Sequence, residues 1–324
     1  MKVVIIGGVA GGATAAARIR RLDEQAEIVV FERSGFISYA NCGLPYYIGG
    51  TIEEESDLTL QTPESFWRRF RVKVNVHHEV TAIHPDSKTV TVKNLENGKI
   101  LTESYDKLVL SPGAKPIKPR FDGIDSDKIF TLRTVEDTLR LKKYTDEHHP
   151  KSAVVVGGGF IGIEVAENLR ELGIDVTLVE AADQLMAPFV RDMASFIHAE
   201  IRKNSIHLML DTMVEGFADT DCGIDVKLKN APTLQTDMVV MAIGVAPETT
   251  LAKNTGIELG IKGSIVVNDK METSIPDVYA VGDAVQIKNF VTDKNTLISL
   301  AGPANKQGRV AADNICGGDS HYTG

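Results

Sequence analysis

The sequence predicts an α/β fold made of two domains, each built on a parallel β-sheet flanked by helices. A short apolar run, Lys2 to Ile6, leads into a glycine-rich turn, a helical stretch and a second strand that ends at Glu32. The same order recurs from Ala153 to Glu180. A strand, a glycine turn, a helix and a parallel strand form one βαβ unit, so the repeat predicts two units of the Rossmann type.

Composition fits two ordinary domains and excludes several kinds of function. The 324 residues are 43% hydrophobic and carry a formal net charge of −9, which gives no basic surface for nucleic acid. No apolar run approaches membrane-spanning length, and the N-terminus lacks the apolar region of a signal peptide. Cys42, Cys222 and Cys316 form neither a CxxC pair nor a metal-ligand spacing. We therefore expect a cytoplasmic protein with no metal, nucleic-acid or membrane partner.

The first βαβ unit has the features of a dinucleotide site. Glycines between Gly7 and Ala13 let the backbone approach a pyrophosphate at the helix N-terminus, and Glu32 is placed to bind ribose hydroxyls. The match is imperfect, because Val9 occupies the middle position of the G-x-G-x-x-G pattern. For the glycine run alone, a tight turn without a ligand is the alternative.

A segment with one cysteine among small residues follows, from Ser38 to Gly50. Residues 44–48 can start a helix with Pro45 in its first turn. A thiol at a helix N-terminus lies where unpaired N–H groups and the helix dipole favour the thiolate, so Cys42 is a candidate reactive sulfur. Taken alone, inert packing is the more common role of such a cysteine.

The following segments complete the first domain. Residues 64–71 are predicted to form a short helix with an arginine cluster, which by itself indicates a solvated helix face. Residues 72–76 and 89–92 alternate like strands, and residues 96–99 offer a hairpin turn before Ile100. Residues 105–114 are predicted to form a strand closed by Pro112-Gly113, and residues 115–119 cross into a second domain.

The second unit is the stronger match. Gly157, Gly159 and Gly162 fill all three glycine positions, and the second strand ends at Glu180. A carboxylate accepts from a free ribose 2′-hydroxyl but repels a 2′-phosphate, and residues 181–184 supply no arginine, so Glu180 favours NADH over NADPH. Two such units indicate two nucleotides.

The last segments return to the first domain. Residues 237–247 are predicted to form a strand with a small-residue break, and residues 275–284 a strand ending in Gly282-Asp283. Residues 303–316 are helical, and Gly317-Gly318 stops them. We expect a first domain of residues 1–114 and 245–324, with residues 115–244 inserted as the second.

The stretches Gly7 to Glu32, Gly157 to Glu180 and Tyr279 to Ala284 together resemble the flavoprotein pyridine nucleotide-disulfide oxidoreductases over essentially the whole chain. The resemblance implies Rossmann-like domains of the three-layer ββα type, FAD in the first domain and NADH in the inserted one. The residues that it implies for FAD are Gly7, Gly11, Gly12, Glu32, Arg33, Asn41, Ser111, Gly113, Arg133, Gly282, Asp283 and Ala301. Those that it implies for NADH are Gly157, Gly159, Phe160, Ile161, Gly162, Glu164, Glu180 and Gly244.

The stretch Ser38 to Cys42 resembles the single-cysteine branch of that family: coenzyme A-disulfide reductases, persulfide and polysulfide reductases, NADH oxidases and NADH peroxidases. Without a second cysteine nearby, Cys42 must cycle through a mixed disulfide with an external thiol or through a sulfenic acid. Oxidase and peroxidase members carry a histidine in the first glycine loop, where this chain has Val9-Ala10. That difference favours coenzyme A disulfide or persulfide as substrate. The residues that resemble a coenzyme A-binding group are Arg18, Arg21, Ser38, Asn41, Arg68 and Arg71, the arginines suiting phosphate as forked donors.

The resemblance implies an enzyme that passes hydride from NADH through FAD to Cys42 and reduces coenzyme A disulfide, persulfide or polysulfide. One alternative is reduction of oxygen or peroxide through a Cys42 sulfenate, and another is a flavin redox sensor or electron-transfer module with a protein acceptor. Family members continue into a further domain that forms a dimer interface. We therefore expect these 324 residues to be a fragment of a homodimeric protein, ending before that domain.

Overall fold

The computed structural model describes all 324 residues and divides into two compact units. Unit 1 contains Met1–Ala40, Thr59–Lys115 and Ala246–Gly324, and unit 2 contains Asn41–Leu58 and Pro116–Val245. Residues 41–58, which the sequence analysis included in the first domain, cluster with unit 2. Parallel sheets in both units confirm the predicted α/β class.

The helices and strands alternate along the chain. The α-helices are α1 (Ala10–Leu22), α2 (Leu44–Ile48), α3 (Pro63–Phe70), α4 (Val135–His148), α5 (Phe160–Glu171), α6 (Arg191–Lys203), α7 (Thr250–Thr255) and α8 (Ala301–Ile315). Short 3-10 helices are Asn41–Gly43, Glu55–Leu58 and Ile261–Gly263. The strands are β1 (Lys2–Ile6), β2 (Glu27–Phe31), β3 (Lys73–Asn75), β4 (His78–His84), β5 (Thr89–Asn94), β6 (Ile100–Ser104), β7 (Lys107–Leu110), β8 (Ala114–Pro116), β9 (Ile129–Phe130), β10 (Ser152–Val156), β11 (Asp175–Val179), β12 (His207–Met209), β13 (Val214–Thr220), β14 (Gly223–Leu228), β15 (Leu234–Thr236), β16 (Met238–Met241), β17 (Val245–Pro247), β18 (Ile265–Val266), β19 (Val278–Ala280), β20 (Val285–Lys288) and β21 (Asn295–Thr296).

Unit 1 has three layers around a five-stranded parallel sheet in the order β19-β7-β1-β2-β3. Successive residues of a strand point to opposite faces, so Val3 and Ile5 join the core under α1 and α8, while Val4 and Ile6 join the core under the antiparallel sheet β4-β5-β6. Each fully buried valine or isoleucine contributes about 1.5–3 kcal/mol through the hydrophobic effect. This layering confirms the predicted ββα type, and burial on both faces explains the uninterrupted apolar run of β1.

Unit 2 repeats this plan. Its five-stranded parallel sheet has the order β12-β11-β10-β16-β9, and one face packs on the antiparallel sheet β13-β14-β15. Val154 and Val156 of β10 meet Phe217 and Val226 in that core. In each unit a central strand, β1 in unit 1 and β10 in unit 2, is followed by a glycine turn and the start of a helix.

Most predicted elements are confirmed with small shifts. The arginine-bearing helix is α3, and the predicted hairpin turn joins β5 to β6. The elements that were not predicted are strands β4, β9, β12, β13, β14, β15, β18, β20 and β21 and helices α4, α6 and α7. The predicted strand of residues 237–247 is two strands, β16 and β17. No helix has both the length and the apolar character that crossing a membrane requires.

Candidate functional site

The first glycine turn joins β1 to α1 in unit 1. Gly7 has a φ of +97°, and a Cβ there would overlap the carbonyl oxygen of Ser111. A Cβ at Gly12 would overlap the carbonyl oxygen of Gly7, so both positions need glycine. Val9 is the N-cap of α1 and makes no side-chain cap hydrogen bond. The helix start therefore keeps N–H groups that can donate to an anion.

Glu32, the residue after β2, accepts a hydrogen bond from this turn. Its two carboxylate oxygens accept from the backbone N–H groups of Gly8 (2.9 Å) and Ser34 (2.9 Å), and the residue is 8% exposed. A carboxylate offers about four acceptor positions, so lone pairs remain for the hydroxyls of a ribose. Arg33, the next residue, is exposed.

Three adjacent strands of unit 1 end at the same edge of the sheet, and each is followed by a predicted site residue. Gly7 follows β1, Ser111 follows β7, and Val281-Gly282 follow β19. The Ser111 hydroxyl accepts from the Gly12 N–H (3.1 Å), and a Cβ at Gly11 would lie 2.9 Å from Val281 Cγ2. Ligands of parallel α/β sheets bind outside such carboxyl ends.

Helix α8 adds contacts that the sequence analysis missed. The side chain of Gln307, 1% exposed, accepts from the Gly282 N–H (2.7 Å) and so fixes the turn before Asp283. The Thr14 hydroxyl of α1 donates to Asn305 Oδ1 (2.8 Å). The first pair forms only when α8 packs beside the turn after β19, and the second only when α8 packs on α1, so no local sequence signal indicates them.

The glycine turn of unit 2 has the same construction. Gly157 has a φ of +111°, and a Cβ at Gly162 would overlap the carbonyl oxygen of Gly157. Glu180 accepts from the N–H groups of Gly158 (2.6 Å) and Ala182 (2.8 Å), as Glu32 does in unit 1. The two turns thus match in their carboxylate contacts as well as in their pattern.

The start of α5 is open. Gly159, its N-cap, has no atom within 4 Å of a Cβ position and makes no side-chain cap hydrogen bond. Phe160 is 57% exposed, Ile161 is half-buried, and Gly244 after β16 has a φ of +113°. A dinucleotide pyrophosphate fits this open helix start, since unpaired N–H groups and the dipole favour an anion there.

Unit 2 has two further charged features, one on α5 and one after Glu180. Burial, and to a lesser degree the neighbouring Glu167, raise the pKa of Glu164 on α5. Beyond Glu180, Asp183 Oδ2 lies 2.7 Å from Arg191 Nη1, an exposed ion pair. Arg191 lies beyond residues 181–184, the stretch whose lack of arginine predicts NADH.

Cys42 is an exposed free thiol in the 3-10 turn Asn41–Gly43, just before α2. Asn41 Nδ2 donates to the carbonyl oxygen of Arg133 (2.8 Å), which tethers the turn within unit 2. The other cysteines are also free: Cys222 is exposed, and Cys316 is half-buried with a pKa raised by burial. Cys42 therefore meets the access requirement of a reactive sulfur.

Helix α2 holds this turn through tight packing in unit 2. Leu44, Pro45 and Ile48 are buried, and α2 contacts α4 and α5. A Cβ at Gly49 would overlap Oδ1 of Asn168, a buried α5 side chain whose Nδ2 donates to the carbonyl oxygen of Glu164 (2.7 Å). The position of Cys42 is thus tied to α5.

The arginines predicted for coenzyme A have separate neighbours in unit 1. Arg18 Nε lies 2.7 Å from Asp313 Oδ1 of α8, while the Arg21 guanidinium lies over the Phe70 ring at 5.8 Å. Arg68 and Arg71 are exposed on and after α3. Ser38 has a φ of +50°, and Gly113 a φ of +69°. Arg18 and Arg21, three residues apart on α1, thus make separate contacts, one with α8 and one with α3.

Comparisons with known proteins agree on one family. Residues 1–308 match the family model described as pyridine nucleotide-disulphide oxidoreductase. The coenzyme A disulfide reductase of Staphylococcus aureus (strain JH9) is 36% identical over 319 residues, which are 98% of this chain and 71% of that protein.

Two solved structures share the fold closely. The reduced Bacillus anthracis CoADR-RHD has a TM-score of 0.97 and 50% identity, covering 100% of this chain and 58% of that one. The NAD-dependent persulfide reductase from A. fulgidus has a TM-score of 0.96 and 35% identity, covering 100% of this chain and 61% of that one. This chain therefore spans about three fifths of the solved relatives.

Proposed function

The chain belongs to the pyridine nucleotide-disulphide oxidoreductase family, and from that premise we propose that it carries the nucleotide-binding units and the redox-active Cys42 of an NADH-dependent flavoprotein that reduces coenzyme A disulfide or persulfide. Membership implies FAD and NAD(P)H as cofactors. The observation that carries the proposal is an exposed thiol, Cys42, in a chain whose next cysteine is Cys222. A disulfide or persulfide substrate that oxidises Cys42 must then join it to an external sulfur.

Unit 1 fits FAD. Gly7 and Gly12 leave room for a pyrophosphate beside the start of α1, Glu32 keeps acceptor positions for a ribose, and Asp283 follows the anchored Gly282 turn. These residues would hold the adenine nucleotide and the ribityl chain. When bound, FAD supplies two-electron transfer between the nicotinamide and the Cys42 sulfur.

Unit 2 fits NADH. The open start of α5 at Gly159 would take the pyrophosphate, and Glu180 would accept from the ribose hydroxyls. A 2′-phosphate would meet the Glu180 carboxylate, whereas a free 2′-hydroxyl can donate to it. This difference supports NADH rather than NADPH.

Cys42 is the proposed nucleophile. Its thiolate attacks one sulfur of coenzyme A disulfide, the S–S bond breaks, and one coenzyme A thiolate leaves, so that a mixed disulfide forms on Cys42. With a persulfide, the same attack on the outer sulfur transfers that sulfur to Cys42 and releases the coenzyme A thiolate. The similarity to the A. fulgidus persulfide reductase supports this second substrate.

The test compares Cys42→Ser with Cys222→Ser in the FAD-loaded protein. We expect Cys42→Ser to abolish NADH oxidation with coenzyme A disulfide and with coenzyme A persulfide, while Cys222→Ser, also at an exposed thiol, stays near the wild-type rate. Normal turnover by Cys42→Ser would overturn the proposal. Oxygen and peroxide as sole acceptors test the oxidase alternative, which the Val9-Ala10 turn disfavours because it offers no imidazole to donate a proton.

A further inference from the structure

We propose that His198 on α6 is a positioning residue of the unit 2 nucleotide site, whose neutral imidazole holds the loop that supports Glu180 and whose protonation releases that loop and weakens NADH binding. The loop, residues 181–190, joins Glu180 to α6, and we name it the acid-side loop. The inference rests on the proposed function for the identity of the nucleotide. All of its contacts lie within unit 2.

His198 contacts the acid-side loop through one hydrogen bond. Its Nε2 accepts from the backbone N–H of Leu185 (3.0 Å). A backbone N–H can only donate, so Nε2 carries a free lone pair and the ring hydrogen lies on Nδ1. An imidazolium has hydrogens on both nitrogens and cannot accept. The contact therefore exists only while His198 is neutral.

Leu185 and Met186 hold the glycine turn of unit 2. Leu185 is buried, and a Cβ at Gly158 would overlap its Cδ2. The Met186 N–H donates to the carbonyl oxygen of Gly158 (2.8 Å). Gly158 in turn donates to Glu180 (2.6 Å). The positions of the turn and of its acid therefore depend on these two residues of the loop.

The loop depends on His198 at the point where it holds the turn. Met186 has a φ of +52°, a left-handed conformation that is unfavourable for a residue with a Cβ. The Leu185 N–H, one residue earlier, belongs to a buried residue, and without the imidazole acceptor it would stay unpaired away from water. Protonation of His198 therefore drives the loop to open, so that this N–H can reach water.

The charges around His198 favour the neutral form. Burial lowers the pKa of His198, and Arg202 and Arg191 of the same helix lower it further, while Asp183 of the loop acts in the opposite direction. Strand β12, which also packs on α6, carries the exposed His207. The pKa of His198 thus lies below the ordinary histidine value of about 6.5. The hydrogen bond is present at neutral pH and is lost as the pH falls through that lowered pKa.

Protonation and nucleotide binding therefore oppose each other. Nε2 takes up one proton from solvent, the Leu185 N–H loses its acceptor, and the turn at Gly158 loses its support. The affinity for NADH should then fall as the pH falls. By linkage, a bound nucleotide must lower the pKa of His198 by the same factor.

Calorimetry with ADP-ribose tests this coupling, because ADP-ribose carries the adenosine and diphosphate of NADH but cannot reduce FAD. The FAD-loaded protein is titrated at about pH 7.5 and about pH 5.5. We expect the wild-type Kd to be about threefold to fivefold higher at the lower pH, within the worth of one neutral hydrogen bond. An equal Kd at the two pH values would overturn the proposal.

Variants separate the imidazole from other groups that titrate. His198→Gln offers an uncharged amide oxygen to the Leu185 N–H, so it should bind ADP-ribose within about twofold of wild type at about pH 7.5 and lose the added pH dependence. His198→Leu removes the acceptor and should raise the Kd about threefold to fivefold at both pH values. A pH dependence equal in wild type and His198→Gln would overturn the proposal.

The matched control is His148→Gln. His148 is another exposed imidazole of unit 2, and its Nδ1 lies 3.3 Å from the carbonyl oxygen of Tyr144 on α4. This variant should keep the wild-type Kd and its pH dependence. Loss of the pH dependence in His148→Gln would assign the effect to the wrong histidine and contradict the role of His198.

The two proposals fail in different ways. Binding of ADP-ribose needs no turnover, so Cys42→Ser should keep the full pH dependence. A protein that binds no ADP-ribose at about pH 7.5 would contradict the assignment of NADH to unit 2, and the inference would fall with it. A protein that binds ADP-ribose with a pH dependence unaffected by His198→Gln would contradict the inference alone.

Discussion

We propose that single residues set the nucleotide preference, and Glu180 is the clearest case. Its carboxylate holds Gly158 and Ala182 and would repel a 2′-phosphate. Glu180→Gln removes the charge but keeps an acceptor, so the kcat/KM ratio of NADH to NADPH should fall about tenfold, the worth of one charged hydrogen bond. Glu147→Gln, on the surface of α4, should leave the ratio unchanged. An unchanged ratio in Glu180→Gln would contradict the role given to this acid.

Some glycines are also required, because a Cβ added at their position would overlap backbone atoms. Gly12→Ala places a methyl group against the carbonyl oxygen of Gly7 and should lower the free energy of unfolding by about 1–3 kcal/mol. Gly302→Ala, in the first turn of α8 with no atom within 4 Å, should be neutral or stabilising by up to about 1 kcal/mol. Urea unfolding measures both values, and equal losses would contradict the packing described for the first turn.

Among the elements, α2 decides where Cys42 lies. Gly49→Ala would force α2 away from Asn168 on α5, so it should destabilise the protein by about 1–3 kcal/mol and change the alkylation rate of Cys42. In the double variant Gly49→Ala with Asn168→Ala, the clashing atom is gone, and part of the loss should return. Strictly additive losses in this double-mutant cycle would show that the two residues do not interact.

The positions of α1 and α2 differ in how far they could be predicted from the sequence. The turn of α1 and its acid lie within about thirty residues and follow a fixed spacing, so Gly7, Gly12 and Glu32 could be predicted from local chain geometry. The clustering of residues 41–58 with unit 2 depends on α2 meeting Asn168, more than a hundred residues away. Gln307 likewise gains its partner, the Gly282 N–H, only when α8 packs beside the end of β19, and a periodic pattern contains no such information.

Across the whole molecule, the two glycine-turn units that repeat in the sequence also repeat the hydrogen bonds of their carboxylates. Both units place a glycine turn after the first strand, a carboxylate after the second and an antiparallel sheet behind the parallel one. The two matched turns support the proposal that the chain holds two nucleotides and passes electrons between them. The identity of the final acceptor depends on what bonds to Cys42.

The mass of the peptide that contains Cys42 tests this account most directly. The FAD-loaded protein is treated with coenzyme A disulfide, quenched in acid without reductant and digested, and the peptides of Cys42, Cys222 and Cys316 are weighed. We expect a coenzyme A mixed disulfide on Cys42 and none on Cys222, which is also exposed. An unmodified or only sulfenylated Cys42 would contradict the proposal that this thiol reduces coenzyme A disulfide.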